Sequence, residues 1–368
     1  MVKALRDLPG VDWLRRRYHL ARSVVALGKQ VAVGAAEYRR TGKTSQETYL
    51  NFIELFCRTQ GRSNDLLHGL VRLAHARCPL PPARGLLGDF EGEALGRAGR
   101  VMRADGYYRF PGRLPDSLLN GLEAFARTTQ ARVMYGGDEA SEEAIYDPSR
   151  PIATKYNFDE HRLLANPVVR QVVFDPAVLA LSQEYLGCAP VFSNVCMWWS
   201  TRWSSEPSVG AGQLFHFDMD RIRWLKFFIL LTDVSEKHGP TTFIAGTHRS
   251  GMQPRPLLDK GYSRLTDEEV LRHYPKERVI HFTGKRGTVV ACDTRGFHKG
   301  EPLLEGDRLV LQVEFADSLF GAGYSRPVVE LEEDSPYLAL FRACPRVFER
   351  VLVRVLSRAP SVSSSLLR

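Results

Sequence analysis

The stretch Gly-Gln-Leu-Phe-His-Phe-Asp-Met-Asp, residues 212–220, decides how the rest of the chain is interpreted. Successive side chains of a β-strand point to opposite faces, so we expect His216 and Asp218 to share one face and Phe217 to enter the layer behind. An imidazole and a carboxylate side by side are two adjacent ligands for a metal ion. A histidine from a distant strand would complete a two-histidine, one-carboxylate set that leaves metal positions open.

The third ligand is predicted in Gly-Thr-Val-Val-Ala-Cys-Asp-Thr-Arg-Gly-Phe-His-Lys-Gly, residues 287–300. His298 lies 82 positions after His216, and early and late strands are neighbours in a jelly roll. Arg308 follows after a Gly-Asp turn, and its guanidinium can hold a carboxylate through two parallel hydrogen bonds. The pattern therefore predicts Fe(II) bound by His216, Asp218 and His298, with O2 at an open position and 2-oxoglutarate held by Arg308.

The second half of the chain consists of short β-rich runs separated by turn residues. These runs cover 191–203, 213–217, 224–231, 279–282, 288–291 and 309–315. The run 225–231 is apolar almost throughout, apart from a lysine, which is typical of a strand covered on both faces. We therefore predict an α+β fold with a jelly-roll core and flanking helices.

The first part of the chain is predicted to be helical. Helices are expected over 11–42, about 45–58 and 64–77, and the prolines at 79–82 mark a boundary. The glycine-rich residues 85–98 are interpreted as a linker, and 334–357 as an amphipathic helix interrupted near Pro345. The predicted division is a helical extension (1–84), the oxygenase domain (85–330) and a C-terminal helix with a tail (331–368).

Charge is concentrated at the N-terminus. Residues 1–45 contain ten basic and three acidic residues, a net +7 out of +8 for the chain, so the core shows no nucleic-acid-binding signature. The basic helices are interpreted either as a layer packed on the core or as a module that docks on a membrane surface or a partner.

Cysteine usage and the termini give a prediction of location. The six cysteines show no CxxC motif and no regular spacing, so we expect reduced thiols rather than disulfides or zinc ligands. The chain shows neither a secretory signal nor an apolar run of membrane-spanning length. A cytoplasmic protein, peripheral to a membrane in the second interpretation above, is therefore expected.

Two further segments, Asp233-Val-Ser-Glu-Lys-His-Gly-Pro and Ile244-Ala-Gly-Thr-His, complete a resemblance to a known family. With the ligand motifs, residues 100–320 resemble the phytanoyl-CoA dioxygenase family of Fe(II)/2-oxoglutarate oxygenases. The resemblance implies a double-stranded β-helix and the ligand roles given above. It also implies that Lys155 contacts the cosubstrate. Phe228 stands where some members have a tryptophan beside the cosubstrate, and Gly300 replaces a small polar residue.

The reaction implied is hydroxylation of a substrate C–H bond, coupled to conversion of 2-oxoglutarate into succinate and CO2. Related halogenases have a small residue in place of Asp218, so the carboxylate favours hydroxylation, with desaturation or ring closure as alternatives. A small molecule or a lipid- or glycan-like metabolite is the expected substrate. The other hypotheses are a non-catalytic β-helix module that docks a partner through its N-terminal helices, and a cupin-like metal enzyme without 2-oxoglutarate.

Substrate contacts are predicted from residues near the first motif. Arg221 and Arg223 belong to a basic cluster with Arg202 and Lys226, which suggests an anionic substrate or a solvated rim. Strand alternation allows only one of Trp198 and Trp199 to face the pocket, and Trp199 is the predicted contact. Asp220 is interpreted as a substrate contact or as a residue that closes the turn.

Overall fold

The architecture is known from a computed structural model, which describes residues 11–135, 138–203 and 212–356. The helices are α1 (Val11–Thr41), α2 (Gln46–Thr59), α3 (Arg62–Ala74), α4 (Gly92–Asp105), α5 (Asp116–Thr128), α6 (Glu160–Ala165), α7 (Pro167–Val173), α8 (Pro176–Leu186), α9 (Arg255–Leu258), α10 (Asp267–Leu271) and α11 (Pro336–Ala343). The strands are β1 (Arg84–Gly85), β2 (Gly88–Asp89), β3 (Tyr107–Arg113), β4 (Ala131–Tyr135), β5 (Asp138–Ala144), β6 (Lys155–Asn157), β7 (Val191–Ser200), β8 (Trp224–Leu230), β9 (Thr241–Ile244), β10 (Val279–His281), β11 (Thr288–Cys292), β12 (His298–Gly300), β13 (Arg308–Ala316), β14 (Val328–Glu332) and β15 (Leu352–Leu356).

Two antiparallel sheets form the centre of the fold. The larger has the order β3-β11-β8-β13-β7-β6-β4-β5, and the smaller has the order β10-β9-β12. Phe228 and Val310 from the larger sheet pack with Phe243 and Phe282 in the space between the two sheets. This is the predicted jelly-roll, or double-stranded β-helix, core, and the α+β fold class is confirmed.

Strand β8 shows why its sequence is apolar on both faces. Phe227 and Ile229 belong to the core that the large sheet shares with the flanking helices, whereas Phe228 and Leu230 face the space between the sheets. Alternation places odd-numbered and even-numbered side chains in different layers, and both layers exclude water. Lys226 is the exception, because it is the charged residue of a fully buried strand.

The N-terminal helices pack against the segment that carries the first motif. Phe52 and Phe56 of α2 share a core with Phe217 and Ile222. Ser45 caps α2, because its side chain accepts a hydrogen bond from a backbone N–H of the first turn. The interpretation of a layer packed on the core therefore describes α2. Within the described ranges, no helix has the length and apolar character needed to cross a bilayer.

Two predicted segments, 85–98 and 213–217, differ from the structure. The 85–98 linker is instead a two-strand hairpin (β1 and β2) followed by helix α4, which packs on α8 where Gly99 allows close approach to Glu184. The predicted strand over 213–217 is reduced to isolated bridges of Phe215 and His216, whose partners Leu265 and His298 lie on two different segments. Both predictions were wrong because these segments are glycine-rich or short, and their structure depends on contacts with residues distant along the chain.

The predicted C-terminal helix over 334–357 is also wrong in its second half. Helix α11 ends at Ala343, and β15 then pairs in parallel with β14. Pro345 prevents the helix from continuing, and the β-branched Val353 and Val355 favour an extended chain once β14 offers an edge. The predicted tail from 359 lies outside the described residues.

The expectation of six reduced thiols is wrong for two of them. Cys78, after α3, forms a disulfide with Cys344, after α11, and their Cα atoms are 5.5 Å apart. Their 266-residue separation gave no spacing signal, because only the folded chain brings the two ends together. The other four cysteines are free thiols. The cytoplasmic location rested on reduced thiols and stays a prediction.

The disulfide gives a test of stability. We expect Cys78→Ser to lower the free energy of unfolding by about 2–4 kcal/mol, because the cross-link restricts a long loop in the unfolded chain. Chemical denaturation with and without reductant measures the change. Reductant should shift the wild-type midpoint and leave that of Cys78→Ser where it was. Alkylation of all six cysteines in unfolded protein that was never reduced would refute the cross-link.

Candidate metal centre

The two predicted histidines meet through their backbones. The N–H of His216 donates to the carbonyl of His298 at 2.9 Å, and the N–H of His298 donates to the carbonyl of His216 at 2.8 Å. Their ring centroids are 4.3 Å apart. The Asp218 N–H donates to the Thr294 carbonyl at 2.9 Å. One segment ending in β12 therefore holds both polar residues of the first motif in register with the second histidine.

Hydrogen bonds at Nδ1 determine which imidazole nitrogen faces Asp218. His216 Nδ1 lies 2.8 Å from the carbonyl oxygen of Leu214, and His298 Nδ1 lies 3.0 Å from that of Gly296. A carbonyl can only accept, so each Nδ1 carries the proton and each Nε2 presents a lone pair. The Nε2 atoms lie 3.7 Å (His216) and 3.4 Å (His298) from the nearer carboxylate oxygens of Asp218.

The donor set fits a ferrous ion. The ligand atoms of His216, Asp218 and His298 all lie within 4.8 Å of one another, and donors about 2.1 Å from one ion at right angles are about 3 Å apart. Burial lowers the pKa of His216 to about 3, with a further contribution from His298, which keeps that imidazole in its neutral, ligating form. Two imidazoles and one carboxylate with further positions open are typical of non-haem Fe(II) oxygenases.

Lys226 forms an ion pair with the carboxylate of Asp218. Its Nζ lies 2.7 Å from Asp218 Oδ2, 2.8 Å from Asp220 Oδ2 and 3.6 Å from Glu314 Oε2. Burial raises the pKa of Asp218, but Lys226 and His298 lower it by more, so the net pKa is well below the ordinary value. Burial raises the pKa of Glu314 to about 7, helped by Asp220. The lysine therefore fixes the orientation of the carboxylate and compensates buried negative charge.

Sequence reasoning assigned Lys226 to a surface cluster and missed this role. The signal that could have identified it is a cation inside an otherwise apolar strand, because a buried lysine requires acidic partners. The carboxylate of Asp220 is an ion-pair partner of Lys226, a contact that neither interpretation of this residue predicted.

Arg308 and Lys226 line the same cavity, but they lie near different ends of β13: Lys226 of β8 is opposite Glu314, near the end of that strand. Arg308 begins β13 opposite Ser200 of β7, and its Nη2 donates to the Ser200 Oγ at 3.4 Å. Its Nε is buried and has no hydrogen-bond partner among the described residues. Burial lowers the pKa of Arg308 to about 10, because no carboxylate compensates the charge. A buried cation with an unsatisfied donor is suited to receive an anion that the chain itself does not supply.

One cavity connects the metal centre with this cation. Its volume is about 610 Å³, and its lining includes His216, Asp218, His298, Arg308, Lys155 and Phe228. Lys155 lies opposite Ser200 on β6, and its Nζ is 4.6 Å from the centroid of the Trp198 ring. The structure therefore brings together every predicted metal and cosubstrate residue.

The predicted substrate residues are placed differently. Trp199 is fully buried on the other face of β7, where it packs against Tyr146, and it is Trp198 that lines the cavity. Arg221 is buried beside Ser193 outside the cavity lining, and Arg223 pairs with an acid of α3. Successive side chains of β7 point to opposite faces of the sheet, so only one of the two tryptophans could face the cavity. The sequence alone did not determine which of the two it is.

An aromatic contact connects the helical extension to the metal ligands. Phe217, the residue between His216 and Asp218, stacks on Phe56 of α2 with ring centroids 5.2 Å apart and an angle of 29°. A stacked ring fixes the backbone on which both ligands depend. Helix α2 is therefore part of the support of the centre.

Truncation of Phe56 tests this support. We expect Phe56→Ala to lower the free energy of unfolding by about 3–5 kcal/mol and to weaken Fe(II) binding by about tenfold. The matched control is Phe348→Ala, because Phe348 is equally buried and stacks on Phe174 with centroids 4.8 Å apart and an angle of 28°. Anaerobic Fe(II) titration of both variants should show weaker binding for Phe56→Ala alone, and equal affinities would contradict the coupling.

Comparison with solved structures returns proteins of low sequence identity. The epimerase SnoN from nogalamycin biosynthesis is 19% identical, with a TM-score of 0.46 over 61% of this chain and 83% of its own. EctD from S. alaskensis is 17% identical, with a TM-score of 0.45 over 65% and 82%. HygX from Streptomyces hygroscopicus, with nickel and 2-oxoglutarate bound, is 16% identical, with a TM-score of 0.43 over 64% and 90%.

Comparison with families gives the assignment. No curated protein matches the chain. A family model described as Phytanoyl-CoA dioxygenase (PhyH) matches residues 102–307, which is more than half of the chain and includes His216, Asp218 and His298. The chain therefore belongs to the phytanoyl-CoA dioxygenase family and uses Fe(II), 2-oxoglutarate and O2.

Proposed function

We propose that this enzyme hydroxylates an unactivated C–H bond of a small polar molecule. The observation that carries the proposal is the joint geometry of one cavity, in which two Nε2 lone pairs and a carboxylate converge and a buried guanidinium has an unsatisfied donor. The first group matches the donor set for Fe(II), and the second matches the far carboxylate of 2-oxoglutarate.

Each residue has a defined role in the proposal. His216, Asp218 and His298 hold the ion, and the bound ion with 2-oxoglutarate supplies the oxidising chemistry. Arg308 pairs with the distal carboxylate of the cosubstrate, and Lys155 and Phe228 line the same cavity. Because His216, Asp218 and His298 line the cavity, an ion that they held would be accessible to the cosubstrate and oxygen from that cavity.

Asp218 supports hydroxylation over halide transfer. A carboxylate in this position fills the coordination site that a halide would need, and Lys226 holds it there at 2.7 Å. Two of the similar structures bear the descriptions epimerase and carbocyclase, so the fold is found with other outcomes as well. The experiment must therefore distinguish oxygen transfer from desaturation, epimerisation and ring closure.

The lining supports a polar substrate over a long acyl chain. The residues that line the cavity include Asn157, Asn194 and Gln312, whose side-chain amides can form hydrogen bonds with a substrate. Apart from Arg308, which is assigned to the cosubstrate, the lining has cations with acidic partners, since Arg132 lies 3.6 Å from Asp159 and Lys299 lies 2.8 Å from Asp267. We therefore propose a hydroxyl-bearing, glycan-like substrate without net charge, in place of the anion suggested by Arg221 and Arg223.

The alternative of a non-catalytic docking module receives less support. A module without catalysis has no need for three converging ligand atoms or for an uncompensated cation at the other end of the same cavity. A cupin-like enzyme without 2-oxoglutarate would likewise leave Arg308 without a partner.

Isotope labelling tests the reaction. The enzyme with Fe(II), 2-oxoglutarate and a library of glycosides and polyols is expected to form succinate in proportion to a product that is heavier by one oxygen atom. Under ¹⁸O2 that oxygen should carry the label, which mass spectrometry detects, and Asp218→Ala serves as the control without turnover. A product lighter by two hydrogens, or unchanged in mass, would contradict hydroxylation.

Replacement of Arg308 separates cosubstrate binding from folding. We expect Arg308→Met to raise the dissociation constant of 2-oxoglutarate by about 100-fold, because a buried charge pair is lost. The same change should raise the melting temperature without cosubstrate, because an uncompensated buried cation destabilises the folded chain. Calorimetric titration and thermal unfolding measure the two effects. A lower melting temperature together with unchanged 2-oxoglutarate affinity would refute the assignment.

A further inference from the structure

Helix α3 carries an exposed apolar row. Leu66, Leu70 and Leu73 are 69%, 50% and 87% exposed, and their spacing places them on one face of the helix. The opposite face is anchored to the barrel, because Asn64 donates to the carbonyl of Ile222 at 3.0 Å. The row, called the leucine ridge from here on, therefore points away from the protein.

The leucine ridge is part of a wider concentration of exposed apolar side chains. Fifteen large hydrophobic side chains are exposed in the described part of the chain, and six of them lie within residues 21–74. These six are Val25, Val33, Leu50, Leu66, Leu70 and Leu73. Single exposed apolar residues are ordinary, whereas three of them on one face of the short helix α3 mark an interaction surface.

The N-terminal part of the chain, which contains these helices, is also strongly basic. Residues 1–77 contain fourteen basic and six acidic residues, a net +8 that equals the net charge of the whole chain. Arg62 is exposed and lies one turn before Leu66 on the ridge face, and the exposed Arg72 lines a groove with Leu70 and Leu73. Asp65 lines the groove too, but its carboxylate is engaged by Arg223 and Ser250.

We propose that the leucine ridge docks this enzyme on the surface of an anionic phospholipid bilayer. The three leucines would enter the headgroup region, while Arg62 and Arg72 pair with lipid phosphates. The proposal is independent of the proposed function, because none of these residues lines the catalytic cavity.

The charge selects the bilayer over a second copy of the chain. Two copies that joined their ridges would bring two segments of net +8 together, and this repulsion opposes a dimer. An anionic bilayer offers both components that the surface lacks, an apolar layer for leucine and phosphates for arginine. Each basic residue near such a surface raises the affinity by about fivefold, and salt weakens this contribution.

Vesicle co-sedimentation of the full chain tests the proposal. Wild-type protein is expected to bind vesicles of phosphatidylcholine mixed with phosphatidylserine, to bind phosphatidylcholine vesicles much less, and to lose binding as salt is added. The triple variant Leu66→Ser, Leu70→Ser, Leu73→Ser should bind mixed vesicles at least about tenfold more weakly. The double variant Arg62→Gln, Arg72→Gln should lose about 25-fold for mixed vesicles, with little change for phosphatidylcholine.

The matched control is Leu304→Ser, because Leu304 is 67% exposed but lies outside the helical extension. This variant should bind mixed vesicles as the wild type does. All variants should keep the wild-type melting temperature and basal turnover of 2-oxoglutarate, which separates a surface effect from misfolding. Equal binding by wild type and the triple variant overturns the proposal. So does a wild-type dimer in light scattering that the triple variant abolishes, since a second copy would then cover the ridge.

Discussion

Two backbone hydrogen bonds between His216 and His298 connect the parts of this molecule that carry chemistry. They join segments that lie 82 residues apart and set the imidazoles side by side, with each Nδ1 bonded to the carbonyl two residues before it. The lone pairs that remain both point towards Asp218. The arrangement needs no long strand at this position, because one bridge and the neighbouring bond to Asp218 fix the register.

Electrostatic balance differs at the two ends of the cavity. At the metal end, Lys226 contacts three acids, so the ligand carboxylate is ionised and held in one orientation before any ion binds. At the far end, Arg308 is buried without an acid. An uncompensated cation is unfavourable in the folded chain by itself, and it becomes favourable when a dicarboxylate enters. The chain thus compensates charge where the geometry must be fixed and leaves it uncompensated where the proposed function places the anionic cosubstrate.

The helical extension is joined to this centre by packing. Phe217 cannot face the metal, because its two neighbours do, so it enters the core that Phe52 and Phe56 share with it. The buried face of α2 therefore supports the ligands, whereas the leucine ridge of α3 faces outwards. Core packing and surface interaction, which were alternative interpretations of these helices, involve different faces and are compatible.

The sequence by itself determined the ligand set, the arginine and the fold class, because spacing and alternation are local properties that survive without coordinates. His216, Asp218, His298 and Arg308 could be named for that reason. Only the tertiary structure decided the phase of β7, which turns Trp198 into the cavity and Trp199 into the core behind the sheet, and the pairing of Cys78 with Cys344. The same holds for the strand β15, which needs the edge of β14, and for Lys226, whose acidic partners lie on other segments. In each case the outcome depends on a neighbour distant along the chain, and a single sequence without coordinates does not specify that neighbour.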